Sequence, residues 1–170
     1  KTPKIVVDML VDIVSKNGNL MLNIPLPASG MPDADELAVL DGITRWMAVN
    51  GEGIYATRPW KQFGEGPVAE KREDKGAGQS FNEDKRKELT FEDVRFTTKG
   101  DVLYAFFMGW PEGRPLHIRA LSTGSIGSVE LLGAGKVEFA QDSGGLTVQL
   151  PGHKPCDYAC VLKVRGNGIV

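Results

Sequence analysis

Apolar residues recur every three to four positions in two stretches near the start of the chain, which predicts two amphipathic helices. The first begins at Thr2, a good N-cap, followed by Pro3 at the first helical position. It ends near Gly18, which suits a left-handed residue after a helix. The second begins at Asp33. Between them, Leu20–Ile24 is apolar on both faces but for one position, which predicts a strand buried on both sides, as in a parallel sheet.

This helix–strand–helix segment cannot satisfy its own backbone hydrogen bonds, because its single strand has no partner strand within the same stretch. We therefore interpret residues 1–64 as an α-β-α fragment from the end of a larger (β/α)-type barrel.

A second pattern begins near residue 94, where short runs of alternating apolar and polar residues are separated by Gly-rich turns. About seven strands at this spacing indicate an antiparallel β-sandwich over residues 94–170, and the fold class is therefore mixed. The predicted strands are Val94–Thr98, Val102–Met108, Leu116–Ala120, Ser128–Leu132, Val137–Ala140, Leu146–Leu150 and Tyr158–Val164. Residues 65–93 carry mixed charges and are predicted to be a solvated connector.

Composition narrows the possible classes of function. Hydrophobic residues make up 41% of the chain, which is enough for a packed core. The net charge of -2 gives no electrostatic case for binding nucleic acid. No apolar run approaches the roughly 20 residues that a membrane span needs.

The two cysteines, Cys156 and Cys160, lie four positions apart. In a strand they would share one face at a separation of about 13 Å, too far for a disulfide, so they are interpreted as small buried side chains. No further ligands are placed beside them, and neither a metal nor a cofactor is predicted.

Four segments resemble the α-L-fucosidases of glycoside hydrolase family 29, and the likeness covers most of the chain. They are residues 10–24 (LVDIVSKNGNLMLNI), 46–60 (WMAVNGEGIYATRPW), 63–67 (FGEGP, as in the bacterial members) and 94–105 (VRFTTKGDVLYA). One departure is visible at Pro25-Leu26-Pro27, where the family often has Gly-Pro.

The resemblance implies a retaining glycosidase that hydrolyses terminal α-L-fucosyl residues of glycans. Retention needs two carboxyl groups about 5–5.5 Å apart. In the family the nucleophilic Asp and the acid/base residue lie before the position that matches Lys1, so no catalytic residue is assigned in this chain. Local carboxylates such as Glu52, Glu65 and Asp33 are interpreted as capping or solvated groups.

Two residues are candidates for contact with a sugar. Asn23 is the polar side chain of the predicted strand, close to the end where barrel enzymes bind substrate, although it could instead bind loop backbone. Trp110 precedes Pro111 at a sandwich turn, where an aromatic ring could stack on a sugar or simply pack in a hairpin. Trp46 is predicted to be core, and His117 a satisfied sheet residue.

The first functional hypothesis is that the parent protein is a fucosidase. This chain would supply the end of its catalytic barrel and its β-sandwich, and would be inactive alone. The alternative is a carbohydrate-binding or purely structural sandwich module, since fold alone does not establish function. The expected partners are a fucosylated glycan, bound through the parent barrel, and a second copy of the chain, bound through the exposed barrel fragment. The parent protein is expected in the periplasm or outside the cell.

Overall fold

Three layers pack on one another in residues 1–70 and 88–170, the parts of the chain that the computed structural model describes. Two long helices form the first layer, a six-stranded sheet the second and a three-stranded sheet the third. The helices are α1 (Pro3–Ser15), α2 (Ala34–Asn50) and a single turn, α3 (Pro67–Glu70). The strands are β1 (Arg58–Glu65), β2 (Val94–Lys99), β3 (Val102–Phe107), β4 (Leu116–Ile118), β5 (Ser125–Leu131), β6 (Gly135–Lys136), β7 (Glu138–Asp142), β8 (Gly145–Gln149) and β9 (Cys160–Asn167).

Both long helices start where the sequence predicts. The Thr2 hydroxyl caps α1, and Asp33 and Glu36 form a reciprocal capping box at the start of α2. The end of α1 differs from the prediction by one residue, because Asn17 rather than Gly18 takes the left-handed conformation, with φ of 65°. The amide of Gly18 then reaches back to the carbonyl of Ile13 at 2.9 Å, as in a Schellman motif.

The larger sheet is antiparallel throughout, in the order β1-β2-β3-β9-β5-β6, and β3 lies at its centre. All six residues of β3 are buried. Leu103, Ala105 and Phe107 face the smaller sheet, whereas Tyr104 and Phe106 face the helices. The strand is apolar on both sides because each of its faces meets another layer.

The smaller sheet, in the order β4-β8-β7, covers the other side of the larger one. Its buried residues include Leu116, Ile118, Leu146 and Val148, which share one hydrophobic cluster with the inner face of the larger sheet. This is the predicted antiparallel sandwich, and the mixed fold class is confirmed.

Each of the seven predicted strands overlaps an observed one, but the edge strands β1 and β6 were missed. The two-residue β6 lies in a predicted Gly-rich turn, whereas β1 is a strand of eight residues. Its sequence contains Pro59 and Gly64, which disfavour a strand interior, and its register shifts between these two residues. As an edge strand, β1 tolerates both features. The strand β1 runs across the predicted boundary between residues 64 and 65. The division of the chain into residues 1–64, 65–93 and 94–170 stays a prediction. Of the predicted charged connector, residues 71–87 lie outside the described part of the chain.

The predicted strand at Leu20–Ile24 is wrong, since these residues form neither a strand nor a ladder with any described strand. The segment is irregular, and Met21 is 94% exposed. The physical reason is that a strand requires neighbouring strands to accept and donate its backbone hydrogen bonds, and no described strand lies beside Leu20–Ile24.

The predicted separation of the two cysteines is also wrong. Cys156 lies in the loop before β9 rather than in the strand, and its sulfur is 3.7 Å from that of Cys160. Tyr158, between them, has φ of 65°, a left-handed conformation that turns the chain back on itself.

Candidate functional site

A buried ion pair joins α1 to the larger sheet. The Nε atom of Arg95, on β2, donates to Oδ1 of Asp12 on α1 at 2.7 Å. The Arg95 side chain is only 2% exposed, and its Nη1 also donates to the backbone carbonyl of Val94 at 3.0 Å. Lys16 donates to the second carboxylate oxygen of Asp12 at 2.8 Å. A charge buried this deeply is tolerated only when it is paired, so the pair fixes α1 on the sheet.

The electrostatic balance at Asp12 favours the charged carboxylate. Burial by itself would raise the pKa of Asp12. Hydrogen bonds and charge attraction from Lys16 and Arg95 outweigh burial, so the pKa of Asp12 lies below its usual range.

A second group of contacts holds the end of α2 and the turn that follows it. The indole nitrogen of Trp46 donates to the carbonyl of Ala159 at 2.7 Å, and the side chain is 1% exposed. The Tyr104 hydroxyl donates to Glu52 at 2.6 Å, and Lys163 also binds that carboxylate. Burial and the hydrogen bond to Glu52 raise the pKa of Tyr104.

Two acidic residues organise the backbone near β1 and are buried rather than solvated. Glu65 accepts hydrogen bonds from the amides of Arg119 and Ala120, at 2.9 and 2.7 Å, and is 6% exposed. Asp93 accepts from the amide of Val68 at 2.9 Å. The interpretation of Glu65 as a solvated loop group is therefore wrong, because β1 carries it into the interior.

The exposed segment after α1 lines a groove of about 510 Å³ between the two long helices. Its walls are mainly apolar and include Met9, Leu20, Ile24 and Val39. Asn23 also lines this groove and is exposed. Its predicted contact with a sugar stays a prediction.

Acidic groups also border the groove, but they serve the helix start. Oδ1 of Asp33 accepts from the amides of Asp35 and Glu36, and the Glu36 carboxylate accepts from the Asp33 amide at 3.2 Å. The hydrogen bond between their side chains lowers the pKa of Asp33 and raises that of Glu36. Capping, as the sequence indicated, is the role that this geometry supports.

The remaining aromatic and imidazole candidates lie on the sandwich. Trp110 is half-buried and packs on Phe107, with ring centroids 5.9 Å apart. Its stacking on a sugar stays a prediction. His117, on β4, has Nδ1 3.1 Å from the Thr147 hydroxyl on β8, as expected for a satisfied sheet residue.

Within residues 1–70 and 88–170, no three His, Cys, Asp or Glu side chains are grouped as a metal ion would require. In the same ranges, no helix has the length and hydropathy needed to cross a membrane.

The acidic groups described above form caps, ion pairs and backbone hydrogen bonds rather than a facing pair beside a sugar pocket. Comparison with known proteins then gives the family. Residues 1–52 match the α-L-fucosidase family model, and residues 86–165 match the model of the α-L-fucosidase C-terminal domain.

Individual relatives agree with the two family models. The chain is 29% identical to human tissue α-L-fucosidase and 30% identical to an α-L-fucosidase of Branchiostoma floridae, over 95% and 94% of its length. α-L-Fucosidase isoenzyme 1 of Paenibacillus thiaminolyticus superposes with a TM-score of 0.71 at 26% identity, over 98% of this chain. The chain belongs to the α-L-fucosidases of glycoside hydrolase family 29.

The chain spans about a third of the length of these relatives: 31% and 32% of the two animal proteins and 35% of the bacterial structure. Relatives from both animals and bacteria match, so the bacterial origin suggested by the likeness of residues 63–67 to the bacterial members stays a prediction.

Sequence reasoning missed the residues that join the two regions. Asp12, Arg95 and Glu65 are separated by up to 83 positions along the chain, so local periodicity could not pair them. Arg95 alternates with Val94 and Phe96 and so lies on the polar side of the predicted strand, which gave no sign that its side chain is buried.

Proposed function

We propose that this chain is part of an enzyme that hydrolyses terminal α-L-fucosyl residues with retention, and that its role there is to brace the catalytic domain. The observation that carries the proposal is that matches to both fucosidase regions lie on one chain and are joined by the buried Asp12–Arg95 pair. The proposed substrate is a fucosylated glycan, bound by the catalytic barrel.

The bracing role follows from where the polar contacts lie. They connect α1, α2 and the turn after α2 to the larger sheet, and the opposite side of the two helices is left facing the groove. A barrel that rested on this side would be held at a fixed position relative to the sandwich.

Turnover of a chromogenic substrate tests this proposal. The purified chain, given 4-nitrophenyl α-L-fucoside, should release no nitrophenol above the buffer rate. A product of the same gene that includes any coding sequence upstream of Lys1 should release it, with retention of anomeric configuration followed by NMR. Fucosidase activity in the 170-residue chain would contradict the assignment of catalysis to other residues. Lack of activity in a folded, longer product would contradict the enzymatic function.

An autonomous sugar-binding role for the sandwich has less support. Trp60 on β1 and Phe96 on β2 are buried, and Trp60 packs edge-to-face on Phe96 with centroids 5.0 Å apart. A sugar platform needs aromatic faces at the surface, and these rings are committed to the core.

We also propose that a second copy of the chain covers the groove when the chain is alone. Exposed apolar side chains support this, since exposed apolar patches favour association. Met21 and Leu22 are exposed and line the groove, and Leu26, Met31 and Leu37 are exposed later in the same part of the chain. Sedimentation should show a concentration-dependent dimer that the double substitution Met21→Ser and Leu22→Ser weakens. A monomer at all concentrations would contradict self-association.

The location of the parent enzyme in the periplasm or outside the cell is a further proposal. A fusion of the full gene product to alkaline phosphatase, which is active only after export, should be active. An inactive but stable fusion would contradict it.

A further inference from the structure

Two thiols face each other at the point where the loop after β8 enters β9. Cys160 is the first residue of β9 and is 1% exposed, whereas Cys156 is only partly buried. Their sulfur atoms are 3.7 Å apart, which is the contact distance of two unbonded thiols rather than a disulfide bond. Only a small movement is therefore needed to join them.

Polar groups around the pair treat the two sulfurs differently. The side-chain amide of Asn50, the last residue of α2, donates to the Cys156 sulfur at 3.3 Å. Asn50 is fully buried, so this amide cannot exchange its sulfur partner for water. The Cys156 sulfur also lies 3.6 Å from the carbonyl oxygen of Ala159.

The acidity of the two thiols diverges accordingly. The hydrogen bond shared with Cys160 lowers the pKa of Cys156 to about 7, helped by the Asn50 amide and opposed by burial. The same hydrogen bond, together with burial, raises the pKa of Cys160. Among nearby charges, Lys154 favours the Cys156 thiolate and Asp157 opposes it. One accessible thiolate beside one protonated, buried thiol is the arrangement of an attacking and a resolving cysteine.

We propose that Cys156 and Cys160 form a reversible dithiol–disulfide site that reacts with low-molecular-weight disulfides of the glutathione class. A structural metal site is disfavoured, because no third His, Cys, Asp or Glu joins the pair in the described ranges.

The reaction proceeds in two exchange steps. The Cys156 thiolate attacks one sulfur of oxidised glutathione, the glutathione disulfide bond breaks, and one reduced glutathione leaves after taking up a proton. The Cys160 thiol then loses its proton and attacks the Cys156 sulfur, which breaks the mixed disulfide and releases the second reduced glutathione. The protein loses two electrons and two protons, and one glutathione disulfide becomes two thiols.

The test uses the reduced chain, whose only cysteines are these two, so that thiol counting is unambiguous. After incubation with oxidised glutathione, intact mass should show loss of two hydrogens without a glutathione adduct. Both thiols should become unreactive toward Ellman's reagent in denaturant, and dithiothreitol should restore them.

Two matched variants separate the roles. Cys160→Ser should retain one glutathione on Cys156, because nothing resolves the mixed disulfide, whereas folded Cys156→Ser should remain unmodified. Persistence of both thiols in the wild-type chain, a stable wild-type adduct, or equal modification of the two variants would overturn the proposal.

A measurement on the unsubstituted chain covers the case in which a variant fails to fold. Limited alkylation with iodoacetamide at neutral pH, followed by peptide mapping, should label Cys156 at least about tenfold faster than Cys160, since only the thiolate reacts. Equal labelling would contradict the assigned roles.

Discussion

Two segments of this chain are almost equally apolar, yet one is the most buried strand of the molecule and the other is open to solvent. In β3, Val102–Phe107, every residue is buried, because strands lie on both sides and a layer covers each face. In Leu20–Ile24, Met21 is 94% exposed, because no described strand lies beside it. An apolar pattern indicates that a segment needs neighbouring strands and covering layers, but whether these are present depends on the rest of the fold.

The two long helices also have one buried side and one exposed side. The sides that face the larger sheet bury Val7, Val11 and Trp46 in a cluster with Tyr104 and Phe106. The other side leaves Leu37 53% exposed. The largest effects of substitution are therefore expected on the closed side of the helices, the side that faces the larger sheet.

Substitution of Arg95 by Ala should produce the largest loss of stability. It leaves the buried Asp12 carboxylate without its main partner on the sheet, and breaking a buried pair in this way costs about 3–5 kcal/mol. Urea unfolding followed by tryptophan fluorescence measures the difference. The control, Arg45→Ala, removes an exposed pair with Asp41 on α2 and should cost at most about 1 kcal/mol. Equal effects of the two substitutions would mean that Arg95 does not fix α1 to the sheet.

Acid should weaken the same closed side. Because the folded pKa of Asp12 is depressed, the stability it contributes is fully present above its unfolded pKa of about 3.9 and is lost as the pH falls through the folded pKa. The stability gap between wild type and Asp12→Asn should therefore narrow below about pH 4. Urea midpoints measured from pH 7 to pH 3 test this, and a gap independent of pH would contradict it.

Replacement of Trp46 by Phe should have an intermediate effect. The ring remains apolar, but the buried carbonyl of Ala159 loses the indole N–H donor and keeps only the weak thiol contact of Cys156, at a cost of about 1–3 kcal/mol. Trp110→Phe is the matched control on the sandwich, where the half-buried ring packs on Phe107, and it should cost less than about 1.5 kcal/mol. A larger effect at Trp110 than at Trp46 in thermal unfolding would reverse the assignment.

Substitution on the open side should have the smallest effect. Met21→Ser should change the free energy of unfolding by no more than about 0.5 kcal/mol, at a protein concentration where the chain is monomeric. Leu103→Ala, the comparison in β3, should cost about 2–5 kcal/mol. A cost at Met21 close to that at Leu103 would show that the segment is buried in solution.

Much of this contrast could be predicted from the sequence, because it depends on local signals. Neighbouring residues alone determine the helix caps at Thr2 and Asp33 and the alternation in the sandwich strands. The resemblance of residues 10–24 and 46–60 also identified the family, although the strand expected within the first of these segments does not form. Family membership therefore depends on the sequence matches and the overall fold, not on that strand.

The features that were missed depend on distant residues. The strand β1 is defined by its pairing with β2, about 30 residues later, as shown by Glu65 opposite Val94. The contact of Cys156 with Cys160 depends on the left-handed conformation of Tyr158. Because this conformation is uncommon outside glycine, the residue type does not predict it. A run of residues that is apolar on both faces does indicate a strand covered on both sides, but the strand with that environment is β3 rather than Leu20–Ile24.

Amide hydrogen exchange followed by mass spectrometry tests most directly whether the chain has one closed and one open side. Peptides from α1, from the second half of α2 and from β3 should be protected, whereas peptides spanning residues 17–33 should exchange rapidly. If α1 exchanged as fast as residues 17–33, or if Leu20–Ile24 were as protected as β3, the division into a braced side and an open side would be contradicted.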